Sequence, residues 1–527
     1  MVLGTSSPVL SPSVSATAGS PPAARSIAAL LDSRSADKAP ALVEGISARW
    51  LPWSEVARRV GNWRGAPPTL VAGSRIGVSL SDPVEMAAAV LGAIAAGFSV
   101  APLDPALPTA EMLAAVRTLG LGAVVTGPGD LGPVRTALRA AGVDLWSTGP
   151  GSLESAGARS GPGVLLPGRG AALLLATSGT TGRPKLVPLR EAQLLRVAGE
   201  VVSHHRLGPQ DCGYSPLPLF HINGLVVGLL ASLVGGHRLV VDRRFSAGVF
   251  WRVVEREEVT WLNLVPAALG VLATLPAPPP EVRRRVRFAR SASAPLAAAT
   301  LERFEARTGI PVLETYGMTE AASQITANPI EPDRRRPGSV GLPVGVELRV
   351  VDGSGRPVAP GELGEVQIRG DSVVESVWAP ADSDEADRPV RGDDGWLATG
   401  DLGRLDADGF LVLAGRADDV INRGGEKLYP REVEEVLLAD PAVRAAAVVG
   451  APHPLVGEEP VAFVVLDGDA ADGVERLRRR CVEALARHRR PAEIVVVDVL
   501  PTGPNGKVRR AELRRRLAGG PAGSEDR

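Results

Sequence analysis

Between Ala171 and Leu189 the chain reads AALLLATSGTTGRPKLVPL. A short uncharged apolar run that breaks into glycines and hydroxyls is a buried strand entering a loop. The loop holds Ser178, Thr180 and Thr181, the glycines Gly179 and Gly182, a proline, and Lys185. Glycines let successive backbone N–H groups curl around an anion, and hydroxyls with one ammonium complete a phosphate cradle. An ordinary surface turn has no need of so many donors. The segment is not a Walker loop, G-x-x-x-x-G-K-[ST], because Arg183 and Pro184 separate the last glycine from the lysine.

The rest of the chain must build a frame around that loop. Its 527 residues suggest several structural units, at roughly 150 residues each. With 45% hydrophobic and 22% charged residues it can bury large cores. A net charge of -1 argues against nucleic-acid binding through a basic surface. Cys212 and Cys481 are too few for a disulfide framework, so a reducing cytoplasm is the expected compartment. Of 58 Lys plus Arg, only Lys38, Lys185, Lys427 and Lys507 are lysines. A compact ammonium is not equivalent to a guanidinium. A lysine kept in so arginine-biased a chain is thus a candidate for a role that needs lysine, though Lys38 falls in no motif.

Residues 1–25 are rich in Ser, Pro and Ala, with no basic start before an apolar core; they read as a disordered tail, not a signal peptide. The uncharged stretches Met86–Leu103, Cys212–His237 and Val259–Pro280 approach membrane-spanning length. Each is broken by turn residues, so no membrane span is expected. From Ser26 to Val240, helical patterns (Ser54–Trp63, Pro83–Ala96) alternate with strands (Arg75–Ser79, Gly122–Thr126), and another such run covers Val259–Thr315. That alternation indicates layered α/β architecture. Ser147–Arg169 reads as a loop. Glycine-punctuated strands (Val346–Val351, Gly364–Arg369, Phe410–Leu413) suggest a small β subdomain. Beyond Gly415-Arg416, strands at Ala445–Val449, Val461–Val465 and Glu493–Val497 with helices Pro430–Leu438 and Val474–Arg487 form a separate α+β unit. The expected fold is a large multi-layer α/β domain (26–415) followed by a small α+β domain (416–518), with 519–527 frayed.

TSGTTGRPK resembles the signature of adenylate-forming enzymes: acyl-CoA synthetases, peptide-synthetase adenylation domains and luciferases. Further segments come in that family's order. They are Pro218–Gly224 (PLFHING), Ser291–Leu296 (SASAPL), Tyr316–Glu320 (YGMTE), Thr399–Asp401 (TGD), Gly415–Asp419 with Asn422–Lys427, and Pro501–Lys507 (PTGPNGK). The resemblance runs from about Ala41 to Leu517. It implies ATP-dependent activation of a carboxylic acid, whose carboxylate attacks the α-phosphate while pyrophosphate leaves.

Charge developing on the phosphates must be met by fixed cations and a metal. By resemblance, Thr177, Ser178, Gly179, Thr180, Thr181, Gly182 and Lys185 hold the pyrophosphate. Thr319 binds the α-phosphate, and Glu320 is the Mg²⁺ ligand. Ser293, Ala294, Pro295, Thr315, Tyr316, Gly317 and Met318 surround the adenine, with Tyr316 stacked on it. Asp401 and Arg416 reach the ribose. Lys507 bridges carboxylate and α-phosphate. The small domain is expected to be mobile, pivoting at Asp418 so that Gly424, Gly425 and Lys427 face the site in the second half-reaction. Taken alone, a tyrosine after an apolar run is core packing, a TGD is a turn, and a lysine in a Gly/Pro loop is solvated.

The acid pocket is expected beside His221, Asn223, Ser291 and Gly317. YGMTEAASQITANP, the VPL after Leu186 and the Ser291/Ser293 pair most resemble the oxalate–CoA ligase branch. Three positions depart from it. Asn223 replaces a second histidine, Leu186 a glycine, and Glu375–Trp378 a Gly-Tyr-aromatic stretch. The expected activity is an acid–CoA ligase for a small acid such as oxalate, with another small or aromatic acid as the alternative. ATP, Mg²⁺ and CoA are the implied partners, in a monomer or homodimer. An amine or a carrier protein is the alternative acceptor, and a non-catalytic nucleotide binder the alternative class.

Overall fold

The computed structural model describes residues 26–65, 70–148, 153–155, 165–178, 184–503 and 507–517. The expected tails and the loop residues Gly179, Thr180, Thr181 and Gly182 lie outside the described residues, as does the side chain of Ser178.

Two large sheets make the frame. In the first, seven strands lie in the order Leu153–Ser155, Asp144–Thr148, Ala123–Thr126, Arg75–Ser79, Ser99–Pro102, Leu173–Ser178 and Pro184–Leu189. In the second, nine strands run Leu342–Pro343, Ser323–Ala327, Val312–Met318, Phe288–Ser291, Trp261–Leu264, Cys212–Ser215, Arg238–Val241, Pro40–Glu44 and Trp50–Pro52. Most neighbours within each are parallel, and the edges are antiparallel. Parallel strands need crossover helices, so helices fill the space between and outside the sheets.

Helix Pro83–Ala95 shows why this layer forms. Asp82 caps it by accepting from the backbone N–H of Val84 and Glu85, and proline starts it. Its residues are almost all buried, because it touches Arg75–Ser79 and Ser99–Pro102 on one side and Pro40–Glu44 on the other. One hydrophobic core accordingly runs from Ile76 and Val78 through Leu91 to Leu42, Leu239 and Trp261.

A four-stranded antiparallel sheet comes next, in the order Glu347–Val351, Gly364–Arg369, Leu397–Leu405, Leu411–Arg416. The last unit has its own five-stranded sheet and its own core around Val433, Leu437, Val448, Val464 and Leu477. The strands expected at Ala445–Val449 and Val461–Val465 are the middle of a long hairpin, Val443–His453 with Gly457–Leu466. Its polar outer thirds carry no apolar alternation. The helix expected at Val474–Arg487 instead spans Ala470–Ala484, because Asp469 caps its start. The expected loop Ser147–Arg169 includes the strand Leu153–Ser155, which pairs antiparallel with Asp144–Thr148.

Among the described residues no helix is long and apolar enough to cross a membrane. The uncharged stretch Cys212–His237 is a strand, a π-helix over Asn223–Leu230 and a short α-helix. A π-helix closes its hydrogen bonds one residue wider than an α-helix and recurs at functional sites. Gly224 sits at its start because a Cβ there would lie 2.7 Å from the Pro218 carbonyl oxygen.

Gly317 permits the close approach of two strands. The pairing of Val312–Met318 with Ser323–Ala327 slips between Tyr316 and Gly317, and a Cβ on Gly317 would lie 1.7 Å from the carbonyl oxygen of Ser323. Gly317→Ala should therefore destabilise the chain by about 3 kcal/mol. Gly353→Ala, where a Cβ meets nothing within 4 Å, should stay within about 0.5 kcal/mol of the parent. Chemical denaturation of both variants checks the contrast; equal stabilities would contradict it.

Candidate active site

The motif residues converge at the C-terminal ends of the parallel strands, where open α/β sheets bind ligands. Strand Val312–Met318 delivers Tyr316 and Gly317, and a single 3₁₀ turn, Thr319–Ala321, carries Thr319 and Glu320. Two residues with positive φ, Ala322 (55°) and Ser323 (112°), turn the chain back into the sheet. The Glu320 carboxylate is 5% exposed and pairs with Lys185 Nζ at 2.5 Å. Lys185 reaches it from strand Pro184–Leu189, opposite Thr177, whose Oγ1 is buried without a hydrogen-bond partner. Strand Pro184–Leu189 thus meets the YGMTE turn through this ion pair.

Among the described residues no group of three His, Cys, Asp or Glu could cage a metal. The donor set still fits Mg²⁺, which takes one or two carboxylates and fills its shell with phosphate oxygens and water.

Tyr316, Asp401 and Arg416 form a second cluster. The Tyr316 hydroxyl donates to Asp401 Oδ2, and Arg416 Nη1 stands 3.3 Å from Asp401 Oδ1 and 3.1 Å from the Thr399 carbonyl. Thr399 Oγ1 accepts from the Asp401 N–H and donates to the Val366 carbonyl, fixing the turn. Burial raises the Asp401 carboxyl pKa, opposed by Arg416, Tyr316 and Lys507. Thr315 Oγ1 ties this strand to the next by donating to the Ser291 carbonyl at 3.1 Å. Met318 is half-buried, as is Ala294, while Pro295 is exposed beside them.

The third cluster is the expected acid pocket. Asn223 Nδ2 donates to Ser293 Oγ at 3.2 Å, and Ser293 holds a positive φ of 75°, costly for a non-glycine residue. Ser291 is buried with Oγ unpartnered, as is His221 Nε2. Four residues that the sequence motifs do not mark join them: Ser215, Asn263, Arg290 and Gln324. Arg290 Nη1 donates to Asn223 Oδ1 (3.0 Å) and Asn263 Oδ1 (3.1 Å), and Nη2 to Gln324 Oε1 (3.4 Å). The one available signal was an arginine inside the apolar strand Phe288–Ser291, a position charged residues seldom occupy.

The small unit closes over this face. Ala298 N–H donates to Glu435 Oε2, and Arg303 Nη1 to the Leu438 carbonyl. Arg431 lies 3.9 Å from buried Glu314 and 3.4 Å from Glu435. Lys507, whose carbonyl accepts from Gly503 N–H, is within electrostatic reach of Asp401, Arg416, Glu320 and His221. Its side chain is solvent-accessible, yet the surrounding protein lowers its pKa, with Asp401 opposing. Asp418 is exposed in the turn Ala417–Asp419. Gly424, Gly425 and Lys427 are exposed at a hairpin on the small unit; Lys427 does not number among the charges acting on Lys507.

Two family models match the chain. The model described as AMP-binding enzyme matches residues 35–378, and that for the AMP-binding enzyme C-terminal domain matches 432–507. The chain belongs to the AMP-binding enzyme family. It is an ATP-dependent, AMP-forming acid–CoA ligase with Mg²⁺-ATP and CoA as co-substrates.

Sulfoacetate–CoA ligase of Cupriavidus necator is 40% identical over 84% of this chain and 88% of that protein. Oxalate–CoA ligase of Arabidopsis thaliana is 38% identical over 64% of this chain and 66% of that protein. ATP-bound MatB from Rhodopseudomonas palustris matches with a TM-score of 0.80 at 29% identity, covering 93% of this chain and 98% of that one. The same MatB without ligand gives 0.71 over equal shares.

His221 offers a direct check. Burial first, and then the Lys507 ammonium, push its pKa from the ordinary 6.5 down to about 4. A histidine depressed in the folded state binds fewer protons than in the unfolded state. Its contribution to stability is therefore full above pH 6.5 and lost as pH falls towards 4. NMR of the His221 ring should show titration near pH 4; a midpoint at 6.5 or above would contradict the buried placement.

Proposed function

We propose that this ligase activates a small polar carboxylic acid in a cleft shared by two units, 26–415 and 416–518. The observation that carries the reading is Lys507, which the small unit supplies to Asp401, Glu320 and His221 of the large one. In the first half-reaction the acid's carboxylate attacks the α-phosphate, the bond to pyrophosphate breaks, and an acyl-adenylate forms. Tyr316 and Asp401 hold adenosine, assisted by Arg416 at the ribose. The Lys185 ammonium leaves Glu320 for the departing pyrophosphate, freeing the carboxylate. Glu320 would then hold Mg²⁺, which neutralises phosphate charge. Thr319 steadies the α-phosphate and Lys507 balances charge between it and the attacking carboxylate.

In the second half-reaction the CoA thiol attacks the acyl carbonyl, AMP leaves and a thioester remains. Rotation about Asp418 would bring Gly424, Gly425 and Lys427 to the cleft for that step and carry Lys507 away. A small acid suits the polar pocket of His221, Asn223, Ser291 and Ser293. The names of the relatives, sulfoacetate–CoA ligase and oxalate–CoA ligase, support a small substrate. Two buried, unpaired cysteines suit a reducing cytoplasm.

Separate assays of the half-reactions test these roles. Lys507→Ala should slow acid-dependent pyrophosphate release about 100- to 1000-fold, while thioester formation from supplied acyl-adenylate and CoA stays near the parent rate. Glu320→Ala should impair pyrophosphate release with a raised Mg²⁺ requirement. Full pyrophosphate release in both variants would overturn the assignment.

A further inference from the structure

The strands Cys212–Ser215, Trp261–Leu264 and Phe288–Ser291 lie side by side and parallel. Register places Asn263 beside Arg290, and hydrogen bonding joins Asn263 Nδ2 to Ser215 Oγ at 3.2 Å. A polar row therefore crosses the sheet at its C-terminal edge, directly behind Asn223 and Ser293. Arg290 is 1% exposed, and its guanidinium partners are the amide oxygens of Asn223, Asn263 and Gln324. None is a carboxylate. The charged or titrating groups that Arg290 acts on are His204 and His205, which burial keeps neutral and Arg290 helps to keep so.

A buried cation without a counter-charge is costly, and proteins pair such groups. Burial alone lowers the Arg290 pKa, to about 9, with no acid opposing it. Among the described residues two buried donors here lack acceptors: Arg290 Nε and the Nε2 of its partner Gln324. Amide oxygens already fill the guanidinium's other positions. What the site lacks is negative charge and acceptor oxygens. An anionic group supplies both.

We propose that the acid activated here is short and carries a second anionic group, and that Arg290, with Gln324, receives that group at the pocket floor. The proposal rests on the reading of this pocket as the acid site and names what selects the acid. The reacting carboxylate faces the α-phosphate and Lys507, while the second charge is held at the opposite end. Arg290 is then a specificity-determining residue. An uncharged tail would leave the cation buried and unpaired in the complex.

Matched pairs test this without altering size: oxalate against oxamate, malonate against malonamate, sulfoacetate against methylsulfonylacetate. Each second member keeps the shape and loses one charge. For the pair that fits the cleft, kcat/KM for pyrophosphate release should favour the doubly charged acid by about 10- to 100-fold. In Arg290→Gln that preference should fall to near parity. Arg290→Lys should keep part of the preference. Thermal unfolding of both variants reports on the fold, and the comparison in the parent enzyme needs no variant.

Equal use of both members by the parent enzyme would overturn the proposal. So would equal loss of both in a folded Arg290→Gln, which would make the arginine purely structural. Release supported by long or aromatic monocarboxylates alone would overturn the proposal and leave the ligase reading standing. Release with no carboxylic acid of any kind would overturn both.

Discussion

One ammonium is carried by the small unit yet acts among the charges of the large one. Lys507 extends from a turn near the C-terminus towards Asp401, Glu320 and His221, each from a different segment of the large unit. Everything else in the site can be assembled by a rigid sheet. This contact cannot, because it depends on how two units sit against each other. Electrostatics in a partly desolvated cleft make it matter: the same charges would be screened in water. The placement favours negative charge where a carboxylate and a phosphate would meet.

Polar contacts hold this placement, among them Arg431 Nη1 donating to the Leu413 carbonyl at 3.1 Å. Arg431 stands between Glu314 and Glu435, and two further hydrogen bonds, from Ala298 and Arg303, cross the seam. Burial pushes the Glu314 carboxyl up to about 7, with Arg431 pulling it down and Glu435 adding to the rise. Glu314 lies on the strand that delivers Tyr316 and Gly317, so the seam and the nucleotide cluster share one element. Polar interfaces between domains generally permit relative motion.

The glycine and hydroxyl motifs were legible in the sequence because each has a chemical job that few residue types can do. Glu320, Asp401 and Lys507 were marked as candidates by the order of the family's motifs, and the layered α/β reading came from the alternation of Arg75–Ser79, Pro83–Ala95 and Ala123–Thr126. Arg290 was not legible as part of the site. Its partners come from Asn223, Asn263 and Gln324, distant in sequence and joined only by strand order. The π-helix was hidden for a different reason: its uncharged residues carry no period that distinguishes it from an α-helix. Hairpin length in the small unit was underestimated since solvent-facing strand ends need no apolar pattern. The seam between the units depends on long side chains meeting across a gap, which no local pattern encodes.

The arrangement of the two units is the central claim, and trapping it is the direct test. Cysteines at Ala298 and Glu435, whose backbone N–H and carboxylate meet at 3.2 Å across the seam, can be joined by a short bis-maleimide. The native Cys212 and Cys481 are buried and should not compete. Cross-linked enzyme should form acyl-adenylate and release one equivalent of pyrophosphate, yet fail to make the thioester when CoA is added. Cross-linked enzyme that turns over to thioester at the rate of the unlinked double-cysteine protein would contradict a small unit that must leave this pose. Loss of the first half-reaction on cross-linking would contradict the pose itself.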